Sequence, residues 1–131
     1  MKLVSTISEI KINDNLLFEK LCIIENFKKI MPENVSKFEI LDADTFIFSI
    51  KGMPAIKLVI GEKKVPSLIT LNSSESKINF SLKAELKKID EDNCSFSIEF
   101  NGDLNPMVQM MVKTPLQSFI NDLSTNASNL V

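Results

Sequence analysis

The chain of 131 residues contains no histidine, tyrosine, tryptophan or arginine. Histidine is the commonest general base and transition-metal ligand, so its absence excludes Ser-His-Asp and Cys-His catalysis and histidine-based metal sites. Because all 15 basic residues are lysines, the forked side chain that usually clamps phosphate or carboxylate groups is also missing. We therefore predict no catalytic residue, no metal site and no cofactor.

Glycine and cysteine are scarce as well. The three glycines, Gly52, Gly61 and Gly102, stand far apart, whereas nucleotide-binding loops need closely spaced glycines. The two cysteines, Cys22 and Cys94, are distant in the sequence, which allows a disulfide without implying one. Cys94 falls on the apolar side of a predicted strand, and we interpret both cysteines as packing residues.

No segment of the sequence is typical of export or of membrane insertion. The N-terminus lacks the apolar stretch of a signal peptide, and no apolar run reaches the ~18 residues that a membrane-spanning helix needs. The net charge is −2 and the lysines form no stripe, which argues against nucleic-acid binding. The length of 131 residues and the 44% of hydrophobic residues predict one globular domain covering residues 1–131. The lack of an export segment predicts that this domain is cytoplasmic.

The first third of the sequence predicts a strand followed by two short helices. Residues 2–12 are rich in β-branched side chains and suit a strand. The residues of this strand that share one face are Val4, Thr6, Ser8, Ile10 and Ile12. Residues 13–15 offer side-chain acceptors for the start of a helix. A second helix fits Ile24 to Met31, because its apolar residues recur at helical spacing and Pro32 ends it.

Residues 35–102 alternate between apolar and polar side chains, in about six strands separated by turns. This alternation gives each strand one buried and one wet face, which is the pattern of an antiparallel sheet. The apolar face comprises Phe38, Ile40, Phe46, Phe48, Ile50, Ile56, Leu58, Ile60, Ile78, Phe80, Leu82, Ala84, Leu86, Cys94, Phe96, Ile98 and Phe100.

Residues 106–127 change to helical spacing. Pro106 suits a first helical turn, and Asn105 suits the N-cap before it. The apolar stripe of this helix comprises Val108, Met111, Val112, Pro115, Leu116, Phe119, Ile120 and Leu123. No other predicted element is large enough to cover the apolar face of the sheet. The sequence thus predicts an α+β fold with about seven antiparallel strands in the order β-α-α-β6-α.

Two segments resemble a known superfamily. Asn26-Phe27-Lys28-Lys29-Ile30-Met31-Pro32 is similar to the second helix and closing proline of START / Bet v 1-like domains, also called SRPBCC or polyketide cyclase/dehydrase-like proteins. Leu104-Asn105-Pro106-Met107-Val108-Gln109-Met110-Met111 resembles the entry into their last helix, and its continuation to Phe119 is similar to short, uncharacterised bacterial members. The resemblance covers about residues 2–124. It implies a helix-grip fold, in which a curved antiparallel sheet wraps around a long C-terminal helix.

The resemblance further implies a cavity between the sheet and the last helix. Such a cavity would hold a small hydrophobic or amphipathic ligand, such as a lipid, a quinone or a polyketide-like molecule, without catalysis. The residues expected to contact this ligand are Phe46, Phe48, Leu58, Thr70, Phe80, Leu82, Phe96, Ile98, Met107, Met111 and Phe119. Two alternatives stay open: a protein-interaction or adaptor module with a filled core, and an enzyme of the cyclase or dehydratase type.

The methionines and phenylalanines of the predicted interior have two interpretations. Met107 and Met111 share a helix face and form either a deformable cavity wall or ordinary core. Met110 is expected to be partly exposed or to contact a partner chain, and a homodimer or other protein partner stays open. The many phenylalanines either line a cavity or fill it. Without Tyr or Trp, the remaining candidates for polar contact with a ligand are Thr70, Asn105 and Ser118.

Overall fold

The computed structural model describes residues 1–74 and 79–131, and its elements follow the predicted order. The strands are β1 (Lys2–Val4), β2 (Ser8–Ile10), β3 (Val35–Ile40), β4 (Thr45–Ile50), β5 (Ile56–Lys64), β6 (Leu68–Ser73), β7 (Phe80–Asp90) and β8 (Asn93–Gly102). The helices are α1 (Asp14–Leu21), α2 (Glu25–Ile30) and α3 (Pro106–Asn126), and a short 3-10 helix (Ala127–Leu130) follows α3.

The strands of the described part of the chain form one antiparallel sheet. Their order is β1-β8-β7-β6-β5-β4-β3, and β2 also pairs with β8. From β3 to β8 every neighbour in the sheet is a neighbour in the sequence, as short hairpin connections require. The helix α3 lies across the inner face and contacts β8 and β1. The predicted α+β helix-grip fold, a curved sheet wrapped around a long C-terminal helix, is confirmed.

The predicted alternation is confirmed along β4, β5, β7 and β8. In β8 every second side chain from Cys94 to Phe100 is buried, and the side chains between them are half-buried. Edge strand β3 is less regular, because Phe38 is only half-buried and Ile40 is 39% exposed. Ile78, which was predicted on the apolar face of the sheet, lies outside the described residues.

The prediction of one strand over residues 2–12 is wrong. Two short strands form instead, and Ser5 lies between them. Its Oγ accepts a hydrogen bond from the Ile98 N–H at 2.8 Å, and its own N–H donates to the Ile98 carbonyl at 2.8 Å. The interruption reverses the alternation, so Leu3 is buried and Val4 is exposed. The pattern of apolar residues could not reveal this interruption, because it depends on a hydrogen bond between the Ser5 side chain and the backbone of another strand.

The two helix starts that were predicted from capping side chains are confirmed. The Asn13 side-chain oxygen caps α1 by accepting from the Asn15 N–H at 2.9 Å. The Asn105 side-chain oxygen caps α3 by accepting from the Val108 N–H at 2.9 Å, and Pro106 begins the helix. These side chains satisfy backbone donors that have no partner inside the helix, so they determine where each helix begins.

The second half of α3 covers the sheet. The buried residues of the helix are Val112, Leu116, Phe119, Ile120, Leu123 and Ser124. The Phe119 ring stacks on the Phe48 ring of β4, with 5.1 Å between the ring centroids and 10° between the ring planes. Met111, predicted on the same apolar stripe, is 72% exposed. The predicted stripe is therefore wrong at Met111, whereas Val108 at its N-terminal end is half-buried against the core.

A buried hydroxyl group ties α3 to the N-terminal strands. The Ser124 Oγ lies 2.8 Å from the Thr6 carbonyl oxygen, 3.1 Å from the Phe96 carbonyl oxygen and 3.0 Å from the Ser8 Oγ. A hydroxyl has one proton and two lone pairs, so Ser124 donates to a carbonyl and can accept from Ser8. This polar anchor is fully buried within an otherwise apolar contact.

Cys94 is a core residue, as interpreted from the sequence. It is 0% exposed, and burial raises the pKa of its thiol above the ordinary value of 9.0, with a further increase from the charge of Asp14. Burial also raises the pKa of the half-buried Cys22 thiol. Both thiols are free in this structure, so neither cysteine staples the fold.

We expect Ser124→Ala to lower the free energy of unfolding by about 1–3 kcal/mol, because it removes the donor that Ser124 supplies to the carbonyl oxygens of Thr6 and Phe96, which share its one proton. Urea unfolding measures the change. Ser128→Ala is the matched control, since Ser128 is exposed and its Oγ donates to the nearby Thr125 carbonyl at 3.2 Å. For Ser128→Ala we expect the free energy of unfolding to change by no more than about 0.5 kcal/mol. Equal losses in the two variants would contradict the anchoring role of Ser124.

The raised pKa of Cys94 predicts a loss of stability in alkali. The folded protein keeps the thiol proton at pH values where the unfolded chain, with a thiol pKa near 9.0, loses it. This contribution to stability is complete below the unfolded pKa and is lost as the pH rises through the raised pKa of the folded state. Urea unfolding at a series of alkaline pH values should show a steeper loss for the wild type than for Cys94→Ala. Parallel profiles would contradict the prediction.

Candidate functional site

An apolar seam lies between α2, α3 and the inner face of the sheet. Phe27 and Met31 come from α2 and the residue after it, and Phe119 and Leu123 come from α3. The sheet contributes Phe46, Leu58, Leu71, Leu82, Ala84, Phe96 and Ile98. The cavity that these side chains enclose has a volume of about 10 Å³, which is about the space of one water molecule.

The register of the strands places lining side chains of neighbouring strands directly opposite each other. Phe46 lies opposite Leu58 across β4 and β5. Ala84 lies opposite Ile98 across β7 and β8. Ala84 is the smallest side chain of the lining, so a larger residue at this position would fill the remaining space.

Phenylalanine rings fill most of the interior beside the seam. The Phe46 ring is central, with its centroid 5.3 Å from Phe27, 5.2 Å from Phe38 and 5.9 Å from Phe48. Phe48 then stacks on Phe119 of α3. The sequence leaves open whether the phenylalanines line a cavity or fill it. In this structure they fill it.

The structure brings most of the predicted ligand-contacting residues together. Those that line the seam are Phe46, Leu58, Leu82, Phe96, Ile98 and Phe119. Phe48 and Phe80 are also buried, but they lie outside the lining. Phe48 packs on Phe119, and Phe80 stacks on Phe100 with 4.9 Å between the ring centroids. Contact of any of these residues with a ligand stays a prediction.

The predicted interior position of Thr70 is wrong. Ile69 and Leu71 are buried on either side of it, so the alternation of β6 places Thr70 on the outer face. The other two candidates for polar contact also lie elsewhere. Ser118 is exposed, and Asn105 uses its side-chain oxygen to cap α3. The part of the lining that the structure describes therefore contains no hydroxyl or side-chain amide.

The predicted interior position of Met107 and Met111 is also wrong. They are 73% and 72% exposed, and Met110, expected to be partly exposed, is 85% exposed. Val108, in the same turns, is half-buried against the core, so Met107 and Met111 lie on the side of α3 that is turned away from the core. Met107, Met110 and Met111 lie in the first two turns of α3, and we call them the methionine patch.

Five lining residues are absent from the predicted set, namely Phe27, Met31, Leu71, Ala84 and Leu123. Each of them has a signal in the sequence, because each lies on the apolar side of a predicted element or in an apolar strand. The sequence does not say that α2 forms a wall of the same cavity as α3 and the sheet. That contact joins segments that are far apart in the chain.

Among the described residues, the lining of the seam offers no acid, base or nucleophile, because none of these side chains carries a titratable group. Glu25 and Glu33, which flank α2 in the sequence, are exposed. Within residues 1–74 and 79–131, no three His, Cys, Asp or Glu side chains come together as a metal site would require. None of the helices in this described part is long and apolar enough to cross a membrane. What the seam can do is pack against apolar groups.

A scan against protein-family models and a search of curated proteins found no match. Solved structures do match. A conserved protein from Geobacillus kaustophilus is 14% identical with a TM-score of 0.71, covering 99% of this chain and 94% of that one. A START superfamily protein from Mycobacterium smegmatis is 10% identical with a TM-score of 0.70, covering 99% of each chain.

A plant enzyme has the same architecture. Norcoclaurine synthase from Thalictrum flavum, solved in complex with dopamine and hydroxybenzaldehyde, is 11% identical with a TM-score of 0.76. The match covers 99% of this chain and 86% of the enzyme. At such identities the likeness concerns the fold. The chain therefore has the helix-grip fold of the START / Bet v 1-like superfamily, which its segments at residues 26–32 and 104–111 resemble.

Proposed function

We propose that the chain binds a small apolar or amphipathic molecule in the seam between α2, α3 and the sheet. The lining of the seam carries the proposal, because eleven side chains from two helices and five strands converge on one enclosed gap and all of them are apolar. Such a lining favours apolar groups and disfavours ions or sugars, whose polar atoms would lose water without gaining hydrogen bonds.

The ligand requires the seam to widen. Its volume of about 10 Å³ is far below the ~300 Å³ of a small ligand pocket, so under this proposal the structure is taken as the closed form. The helix α2 is the wall best suited to move, because it has six residues and no side-chain cap at its start. The Asn126 amide ties its end to α3 by donating to the Ile30 carbonyl at 3.1 Å. Outward movement of α2 would carry Phe27 and Met31 away from the seam.

A structural neighbour suggests the class of ligand. Norcoclaurine synthase, which shares the fold, was solved with dopamine and hydroxybenzaldehyde, both small aromatic molecules. Lipids, quinones and polyketide-like molecules present similar apolar surface. The lining supports binding more than it supports a cyclase or dehydratase reaction, because such a reaction needs an acid or base beside the ligand.

Native mass spectrometry after incubation with a mixed lipid and quinone extract tests the proposal, and we expect a discrete bound species. Met31→Ala enlarges the seam at its movable wall and should increase the retained fraction. Ala84→Leu fills the seam and should reduce it. The reason is the same for both variants, because a ligand can enter only the volume that the side chains leave free.

Two variants elsewhere serve as matched controls. Met53→Ala removes another half-buried methionine, and Ala127→Leu enlarges another buried alanine, but neither position lines the seam. We expect no effect of either on retention beyond the effect of a small loss of stability. No bound species in any variant, or equal effects of the seam and control variants, would contradict the proposal.

A protein-interaction module is the second candidate, and the methionine patch favours it. Three large apolar side chains that are 72–85% exposed on neighbouring turns form an uncovered surface, and methionine adapts to varied partners. The filled interior agrees with this candidate as well, because a module that acts through its surface needs no cavity.

Replacing Met107, Met110 and Met111 together by glutamine tests this candidate. Because all three side chains are exposed, we expect the free energy of unfolding to change by about 0.5 kcal/mol or less per site. Affinity capture from the source cells should show a protein that the wild type retains and the triple variant loses. Replacement of the exposed Leu16 and Ile23 by glutamine, which leaves the patch intact, is the control. Identical sets of captured proteins would contradict this candidate.

A further inference from the structure

Strand β3 forms one edge of the sheet. In the described part of the chain it pairs only with β4. It is also poorly covered, because the side chains of Lys37 and Glu39 are each 56% exposed and Ile40 is 39% exposed. An exposed edge strand presents unpaired backbone groups, which are a template for pairing with another strand.

The free backbone groups of β3 occur at alternate residues. The Leu41 N–H donates to the Thr45 carbonyl at 2.9 Å, in the direction of β4. Alternation along an antiparallel strand then directs the backbone N–H and C=O groups of Glu39 towards β4 and those of Phe38 and Ile40 away from it. A second strand at this edge must therefore bond through Phe38 and Ile40.

We propose that β3 pairs antiparallel with β3 of a second copy of this chain, about a two-fold axis at Phe38. In this register the two Phe38 residues exchange both backbone hydrogen bonds, and Ile40 lies beside the bulge at Ser36 of the second copy. Lys37 then lies opposite Glu39 of the second copy, and Glu39 lies opposite its Lys37. These are non-hydrogen-bonded positions, where the Cα atoms approach to about 4.5 Å and side chains interact most closely.

Charge selects this register against its neighbours. Lys37 and Glu39 lie on one face of β3, with 3.6 Å between the Lys37 Nζ and a Glu39 carboxylate oxygen. Moving the axis to Lys37 or to Glu39 still pairs the free backbone groups, but it places lysine against lysine or glutamate against glutamate. Like charges directly opposite each other are destabilising. Among these three registers, only the axis at Phe38 forms two pairs of opposite charge.

Apolar contacts add to the pairing. The Phe38 ring is half-buried, 5.2 Å from the Phe46 ring, and two copies would bring their Phe38 rings side by side. The partly exposed Ile40 side chain would also be covered. A bulge between Val35 and Lys37 ends the regular ladder, so the interface is short. We therefore expect a weak dimer whose population depends on protein concentration.

Sedimentation equilibrium over a wide range of protein concentration measures the dimer, and exchange of charges tests its register. Lys37→Glu places glutamate opposite glutamate at both positions, so we expect the dissociation constant to rise about tenfold or more. Glu39→Lys should have the same effect through opposed lysines. The double variant Lys37→Glu/Glu39→Lys restores opposite charges, and we expect its dissociation constant to return to near the wild-type value.

A mixture of the two single variants is the matched control. Lys37→Glu copies carry glutamate at both positions and Glu39→Lys copies carry lysine at both, so the mixture should form a heterodimer that neither variant forms with itself. Because both side chains are more than half exposed, all these variants should stay folded, which thermal unfolding checks. Ligand retention in the seam enters none of these readouts.

Ile40→Pro tests the backbone part of the interface. It removes an N–H that faces away from β4, so we expect a weaker dimer and a folded monomer. The proposal is overturned by a wild type that stays monomeric at every concentration, or by a dimer that persists in both Lys37→Glu and Ile40→Pro. It is also overturned if the double charge variant stays monomeric. A dimer that only the methionine-patch variant disrupts would place the contact at α3 and overturn the proposal too.

Discussion

The stack of Phe119 on Phe48 is the contact on which the rest of the arrangement depends. A sheet with one apolar face needs a second layer, and α3 supplies it through this stack. Phe48 lies beside Phe46, and Phe46 packs on Phe27 of α2 and on Phe38 of β3. One continuous run of rings thus joins two helices to the sheet. Because contacts between aromatic rings have preferred geometries, the run positions α3 as well as burying it.

The same rings decide how the interior is used. A filled seam maximises packing in the empty protein, so a ligand must replace the ring contacts that it displaces. If the open form is a small fraction of the population, the apparent affinity falls by that fraction. Under the proposed function, binding would therefore favour flat or flexible apolar molecules, which would restore close packing after an outward movement of α2. The methionine patch and edge strand β3 remain available in either form, because neither contributes to the seam.

Local signals in the sequence predicted most of the fold. The alternation along β7 and β8 identified the inner face correctly, since the side-chain period of a strand is independent of tertiary contacts. Asn13 and Asn105 marked helix starts because capping is a contact between near neighbours in the chain. The first strand was predicted wrongly because Ser5 bonds to Ile98, a residue remote in the sequence. The C-terminal helix was predicted with an apolar stripe that wrongly included Met111, although Val108 at the start of the stripe does pack against the core.

By itself the sequence determined the order of the elements and the inner face of the sheet. It also excluded any chemistry that needs a histidine, tyrosine, tryptophan or arginine side chain. Only the tertiary structure decided whether the interior is hollow, because a cavity depends on side-chain volumes that meet from α2, α3 and five strands. It also placed Met107 and Met111 outside, because helical periodicity does not say how wide a face of the helix the neighbouring elements cover. Composition and periodicity are properties of a segment, whereas a cavity is a property of the surfaces that segments present to one another.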